Sequence, residues 1–130
     1  MRKPRELQDG ASYHVIGRAN RQEYILAPIL FKQMLLQLLR EAKIKYAFTI
    51  KNFCIMGNHF HLIIKPLRGE CLSDIMRWIL STFAIRFNKR LHIHGHVWYD
   101  RFKSKIIKSL LQYVATFIYI AKNPVRANIV

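Results

Sequence analysis

Two histidines separated by one residue, His59 and His61 in the run Ile55-Met56-Gly57-Asn58-His59-Phe60-His61-Leu62-Ile63-Ile64-Lys65-Pro66, are the side chains of this sequence best suited to chemistry. In a strand, alternate residues leave the same face, so both imidazoles project side by side while Phe60, Leu62 and Ile64 enter a core. Paired imidazoles make a seat for a divalent cation, although the same pattern also fits two ordinary surface residues of a strand. A cation beside a phosphodiester neutralises the charge that builds on its oxygens when a side-chain nucleophile attacks. Tyr113 and Tyr119 are the candidate nucleophiles; they are six residues apart, which at about 100° per residue puts them on different faces of a helix. Asn123 follows Tyr119 by one turn, so a phenol and an amide oxygen are offered to the same side. Phe117 holds that position relative to Tyr113 and reads as packing, which makes Tyr119 the preferred nucleophile and Tyr113 the second choice.

These residues need elements to position them. Residues 13–18 read as a first strand closed by a turn-prone stretch at 17–20. Pro28 opens a helix with Phe31, Met34, Leu35, Leu38, Leu39 and Ala42 on one stripe. Residues 45–56 are rich in aromatic and β-branched types and read as a second strand, turning at Gly57-Asn58 into a strand at 59–65 that Pro66 stops. Ser73-Asp74 begins a second helix striped by Leu72, Ile75, Met76, Ile79, Leu80, Phe83 and Phe87. Residues 101–107 read as a fourth strand with Arg101, Lys103 and Lys105 on one face, a basic ribbon suited to phosphate contact. Residues 110–121 form a third helix that Pro124 is expected to end at Asn123. The order strand, helix, strand, strand, helix, strand, helix predicts an α+β, ferredoxin-like fold, an antiparallel sheet with packed helices, in one domain over residues 1–130.

Charge narrows the partner. The chain carries 22 Lys and Arg against 7 Asp and Glu, a net charge of +15. An excess of this size attracts polyanions, nucleic acid above all, and makes binding salt-sensitive. The basic residues are spread through strands and helices rather than gathered on one amphipathic helix, which disfavours a membrane surface. No apolar run is long enough to span a bilayer, the charged N-terminus is followed by nothing resembling a signal peptide, and the two cysteines lack disulfide or zinc-ribbon spacing. The expected location is the cytoplasm. His92-Ile93-His94-Gly95-His96 is a second alternating set that could seat zinc or nickel, but with no cysteine or carboxylate nearby it reads as a polar loop. Trp98 and Tyr99, beside Arg101, are candidates for stacking on unpaired bases, whereas Trp78 reads as packing beside its helix stripe.

Four segments carry a family resemblance: Tyr13-His14-Val15-Ile16-Gly17-Arg18-Ala19-Asn20-Arg21, Gly57-Asn58-His59-Phe60-His61-Leu62, Gly95-His96-Val97-Trp98-Tyr99-Asp100-Arg101-Phe102-Lys103-Ser104, and Tyr119-Ile120-Ala121-Lys122-Asn123-Pro124-Val125-Arg126-Ala127. In this order, and over nearly the whole chain, the sequence resembles the HUH single-tyrosine transposases, which include insertion-sequence transposases and their REP-associated relatives. The resemblance implies an HUH nuclease fold and an enzyme that cuts and rejoins single-stranded DNA, often beside a hairpin. Tyr119 would form a 5′-phosphotyrosine link, with His59, His61 and Asn123 holding Mg²⁺ or Mn²⁺ against the scissile phosphate. Arg18, Arg21, Trp98, Arg101, Lys103 and Lys105 would contact DNA. In some relatives the tyrosine helix reaches into a partner subunit, so a homodimer is one assembly implied. The resemblance also implies a longer C-terminus, since family members commonly continue past the stretch matching Asn123 to Ala127 whereas this sequence ends at Val130; a missing tail would cost DNA affinity or mark a shortened remnant. The alternatives are a non-catalytic DNA-binding module, a decayed or domesticated transposase, and an RNA-binding ferredoxin-like protein, the latter disfavoured by the lack of an aromatic RNP-type strand.

Overall fold

The computed structural model describes residues 10–126, with side chains as far as Ala121. In chain order it contains β1 (Ser12–Arg18), a short 3-10 turn (Asn20–Gln22), α1 (Ile29–Lys45), β2 (Phe48–Ile55), β3 (His59–Pro66), α2 (Leu72–Leu91), β4 (Lys103–Ile107) and α3 (Leu110–Arg126). The strands form one antiparallel sheet in the order β2-β3-β1-β4, the ferredoxin-like arrangement expected from the element order.

Period-two alternation on the two central strands divides the sheet into a packed face and a chemical face. Tyr13, Val15 and Gly17 of β1 pair with Ile64, Leu62 and Phe60 of β3, and all of these side chains, Gly17 having none, join the core with α1 and α2. The two helices contribute Phe31, Leu35, Leu38, Leu39 and Ala42 on one side and Leu72, Ile75, Met76, Ile79, Phe83 and Phe87 on the other. A bidentate pair between Arg86 and Glu41, at 2.8 and 2.9 Å, ties them together at the rim. On the opposite face His14, Ile16 and Arg18 pair with Ile63, His61 and His59. This face is partly roofed by α3, whose buried Ile120 packs on Cys54, Met56 and Ile63. A hydrogen bond from Asn52 Nδ2 to Phe117 O, 3.2 Å long, holds the same helix against β2. The register shift between Ile50 and Asn52 in β2 puts one extra residue opposite β3, and beyond it Cys54 comes level with His61 on the α3 side.

Three boundaries differ from the sequence expectation. Residues 45–47 do not belong to β2, because α1 continues to Lys45 and Tyr46 caps it with an N–H to Ala42 O bond of 2.7 Å. Arg101 is not part of β4: Asp100 sits at φ 52° in the left-handed region, so the chain is still turning at Arg101 and sheet pairing begins at Lys103. Pro124 does not end α3 at Asn123, since the helix runs to Arg126. A proline removes one intrahelical donor, a loss that the final turn of a helix already anchored through Ile120 can carry. Both cysteines are free, as their spacing suggested.

Gly17 marks the tightest approach in the sheet. A Cβ there would lie 2.3 Å from the ring of Phe60, which is 1% exposed and cannot give way. Gly17→Ala is therefore expected to destabilise the protein by about 1–3 kcal/mol through overpacking, read as a lowered midpoint in thermal or urea unfolding. An unchanged midpoint would contradict this packing.

Candidate active site

His61 stands at the centre of the chemical face. Among the described residues it is the only polar or charged side chain that is fully buried, at 3% exposed. Its Nδ1 lies 3.0 Å from Nε2 of His14, diagonally across on β1, two residues from its pairing partner Ile16. His59, two residues earlier on β3, is half-buried with its ring centroid 5.0 Å from that of His61. His59 Nδ1 is 2.7 Å from Asn58 Oδ1; an amide oxygen only accepts, so Nδ1–H donates and Nε2 of His59 keeps its lone pair. Neither Nε2 has a hydrogen-bond partner among the described residues.

α3 sets Tyr119 against this pair. Its ring centroid is 5.6 Å from His61 and 6.4 Å from His14, edge-on to both, and it is 42% exposed. Tyr113 is occupied otherwise: it packs against the cluster under Ile120, contacts Phe117 at 6.1 Å, and lies beneath Lys51 Nζ at 5.6 Å. The helical angle between the two tyrosines thus separates a site residue from a packing residue, and the chain's own Tyr119 adjoins its own His61.

Electrostatics keep the imidazoles neutral. Burial, reinforced by the nearby His59, His14 and Arg18, pushes His61 down to about 3. His14 is lowered by burial and by Lys105, and His59 by burial and Arg18. Neutral imidazoles with open Nε2 atoms are the form that ligates a cation, so the donor chemistry of His59 and His61 fits a divalent ion. Among the described residues no group of three or more His, Cys, Asp or Glu could hold a metal ion. Asn123, expected as the third ligand, lies in α3, but its side chain is outside the described residues.

The remaining expected residues divide into two groups. Lys103 and Lys105 pair with Ile16 and His14 and so share the chemical face. Arg18, opposite His59, lines a recess of about 250 Å³ with Gln22, Asn58 and His59. It also lines a second, of about 370 Å³, with Ile16, Tyr99, Arg101 and Lys103. Arg21 is set apart, in a recess with Phe87, Asn88, His94 and His96. Trp98 is half-buried against the core: its ring lies 5.5 Å from Phe60 and 5.2 Å from Phe83, and Nε1 donates to Leu80 O at 3.0 Å. Part of its ring serves packing, and Tyr99, 60% exposed, is the better-presented aromatic. Trp78 packs beside the core as expected. The 92–96 loop is tied down by Asn20 Nδ2 to His96 O and Asn88 Nδ2 to Gly95 O. His14 and Asn58 are the site residues that sequence reasoning passed over; period-two alternation from Arg18 back along β1 is the signal that points to His14.

The family model described as transposase IS200-like matches residues 8–123, and the chain belongs to that family, the single-tyrosine transposases. Among solved structures, a REP-associated tyrosine transposase bound to a REP hairpin is 23% identical with a TM-score of 0.83, covering 100% of this chain and 76% of that one. A putative transposase from Deinococcus radiodurans R1 is 17% identical with a TM-score of 0.64, covering 94% of this chain and 97% of that one. No curated protein matches the chain. No helix among the described residues is long and apolar enough to cross a membrane.

The depressed imidazoles give a stability signature. Between the folded value of His61, about 3, and the ordinary 6.5 of an unfolded histidine, the unfolded chain binds more protons, so stability rises with pH across that window. The contribution is complete above about 6.5 and is lost as the pH falls. Metal-free protein is expected to melt at progressively lower temperature from pH 7 to pH 4, with a shallower dependence in His61→Gln. Parallel curves for the two proteins would show that His61 is not the group responsible.

Proposed function

We propose that this transposase cleaves and rejoins single-stranded DNA through a covalent bond to Tyr119. The observation that carries the reading is the placement of Tyr119 edge-on to His61, in cis, on a half-open face bordered by Arg18, Lys103 and Lys105. The Tyr119 oxygen attacks the scissile phosphorus; a phenol O–P bond forms, the P–O3′ bond breaks, and the departing 3′ oxygen leaves as a hydroxyl. The 5′ side remains as a phosphotyrosine. Phenolate is also a competent leaving group, so an incoming 3′-hydroxyl reverses the step without an external energy source. Mg²⁺ or Mn²⁺ held by His59, His61 and Asn123 would supply Lewis-acid stabilisation of the phosphate oxygen. Asn58 orients His59, and the burial of His61 keeps it neutral for that role.

DNA as the partner is supported by the net charge of +15 and by the hairpin-bound state of the REP-associated relative. Arg18, Lys103 and Lys105 lie where a strand entering the site would pass, and backbone neutralisation by such residues is salt-dependent. Replacing any one of them with alanine should weaken single-strand binding across sequences and reduce the salt slope of log K by about 0.7. An unchanged slope in all three would remove them from the DNA path.

The enzymatic reading is tested with labelled, hairpin-flanked single-stranded DNA and Mn²⁺ or Mg²⁺. The parent should yield a denaturant-resistant protein–DNA adduct, Tyr119→Phe none. Equal adduct from both would exclude Tyr119 as nucleophile, and binding without any adduct from the parent would favour a non-catalytic DNA-binding module.

A further inference from the structure

The contact between His14 and His61 constrains the site more than burial does. Two ring nitrogens 3.0 Å apart share one proton, so one ring donates and the other accepts. If His14 donated from Nε2, His61 Nδ1 would accept; a neutral His61 would then carry its own proton on Nε2, which blocks that atom as a ligand. If His61 donates from Nδ1, its Nε2 keeps a lone pair. The structure thus holds a choice of tautomer at the one fully buried polar side chain among the described residues, and His14 is the group that decides it.

We infer that His14 is a positioning residue that accepts the Nδ1 proton of His61, fixing the His61 ring and leaving its Nε2 deprotonated for a divalent cation. His14 is suited to this by place as well as by chemistry. It is held in β1 between Ile63 of β3 and Lys105 of β4, so its backbone is paired on both sides. It engages His61 through Nδ1, not through the Nε2 assigned to the cation, so it stands behind the ligand rather than beside it. Asn58 does the equivalent for His59, accepting from Nδ1 at 2.7 Å. Both imidazoles of the pair are then presented in one tautomer by two different acceptors, an amide from the β2–β3 turn and an imidazole from β1. Such outer acceptors raise ligand basicity and orientation, and their loss commonly weakens metal binding 10–100-fold.

The inference rests on the metal reading proposed above, and the test separates the two. His14→Gln keeps an acceptor oxygen at about the reach of Nε2, whereas His14→Phe keeps a planar ring and removes the acceptor; thermal unfolding checks that both fold. Long-range ¹H–¹⁵N correlation spectra of the metal-free full chain at pH 7 report which His61 nitrogen carries the proton. Mn²⁺ affinity without DNA is read from the resonance of free Mn²⁺. The expected result is Nδ1–H at His61 in the parent and in His14→Gln, loss of that preference in His14→Phe, and Mn²⁺ binding 10–100-fold weaker in His14→Phe but within a few-fold of the parent in His14→Gln. A parent His61 protonated at Nε2, or His14→Phe binding Mn²⁺ as the parent does, would overturn the inference. So would His14→Gln losing as much affinity as His61→Ala, because His14 would then be a ligand. The expected tautomer in a parent that takes up no Mn²⁺ would uphold the role of His14 in setting the ring and overturn the metal reading instead.

Discussion

A polar ring buried in the middle of a sheet is costly unless it is hydrogen-bonded, and the arrangement around His61 starts from the one partner its Nδ1 finds, His14. β1 and β3 must be neighbours for His14 to reach it, which the β2-β3-β1-β4 order ensures. The antiparallel register then fixes its neighbours on the same face: Arg18 beside His59, and Lys105 beside His14 on the outer strand. Phe60 and Leu62, alternating with the histidines, fasten the same strand into the α1–α2 core. Rigidity of the two imidazoles is therefore inherited from the packing of the opposite face, and Gly17, which makes room for the Phe60 ring, belongs to the support of the site although it faces away from it.

The roof of the site is built differently. α3 is anchored through Ile120 and Tyr113 on one side and leaves Tyr119 half-exposed on the other. The nucleophile proposed for this site needs this division: fixed enough to aim, open enough for a phosphodiester to enter. The basic side chains of the same face lie on the sheet and on the loop before β4, so the positive surface and Tyr119 come from different elements. Membership of the IS200-like family accounts for why these separated motifs occur together.

Much of this was legible in the sequence. Period-two alternation placed His59 and His61 on one face and Phe60 and Leu62 on the other, and helical spacing separated Tyr119 from Tyr113. What could not be read depends on contacts between distant segments. The role of His14 needs the β1–β3 register, since alternation along β1 gives only the face it shares with Arg18 and not its contact with His61. Trp98 looked like a stacking residue by its neighbours, but its ring fills a space between Phe60 and Phe83. Arg101 alternates correctly with Lys103, yet the left-handed turn at Asp100 removes it from the strand while leaving both in one recess. Local pattern fixes the face of a residue; only tertiary packing fixes its partner.

On the proposed function, His59 and His61 present their Nε2 atoms to one cation beside Tyr119. Anomalous scattering at the manganese edge from crystals of the intact chain soaked in Mn²⁺ tests this placement. One peak is expected within coordinating distance of both Nε2 atoms, on the side of the pair that faces Tyr119. A peak bound through Nδ1, or a cation seated at the 92–96 histidines with none between His59 and His61, would contradict it.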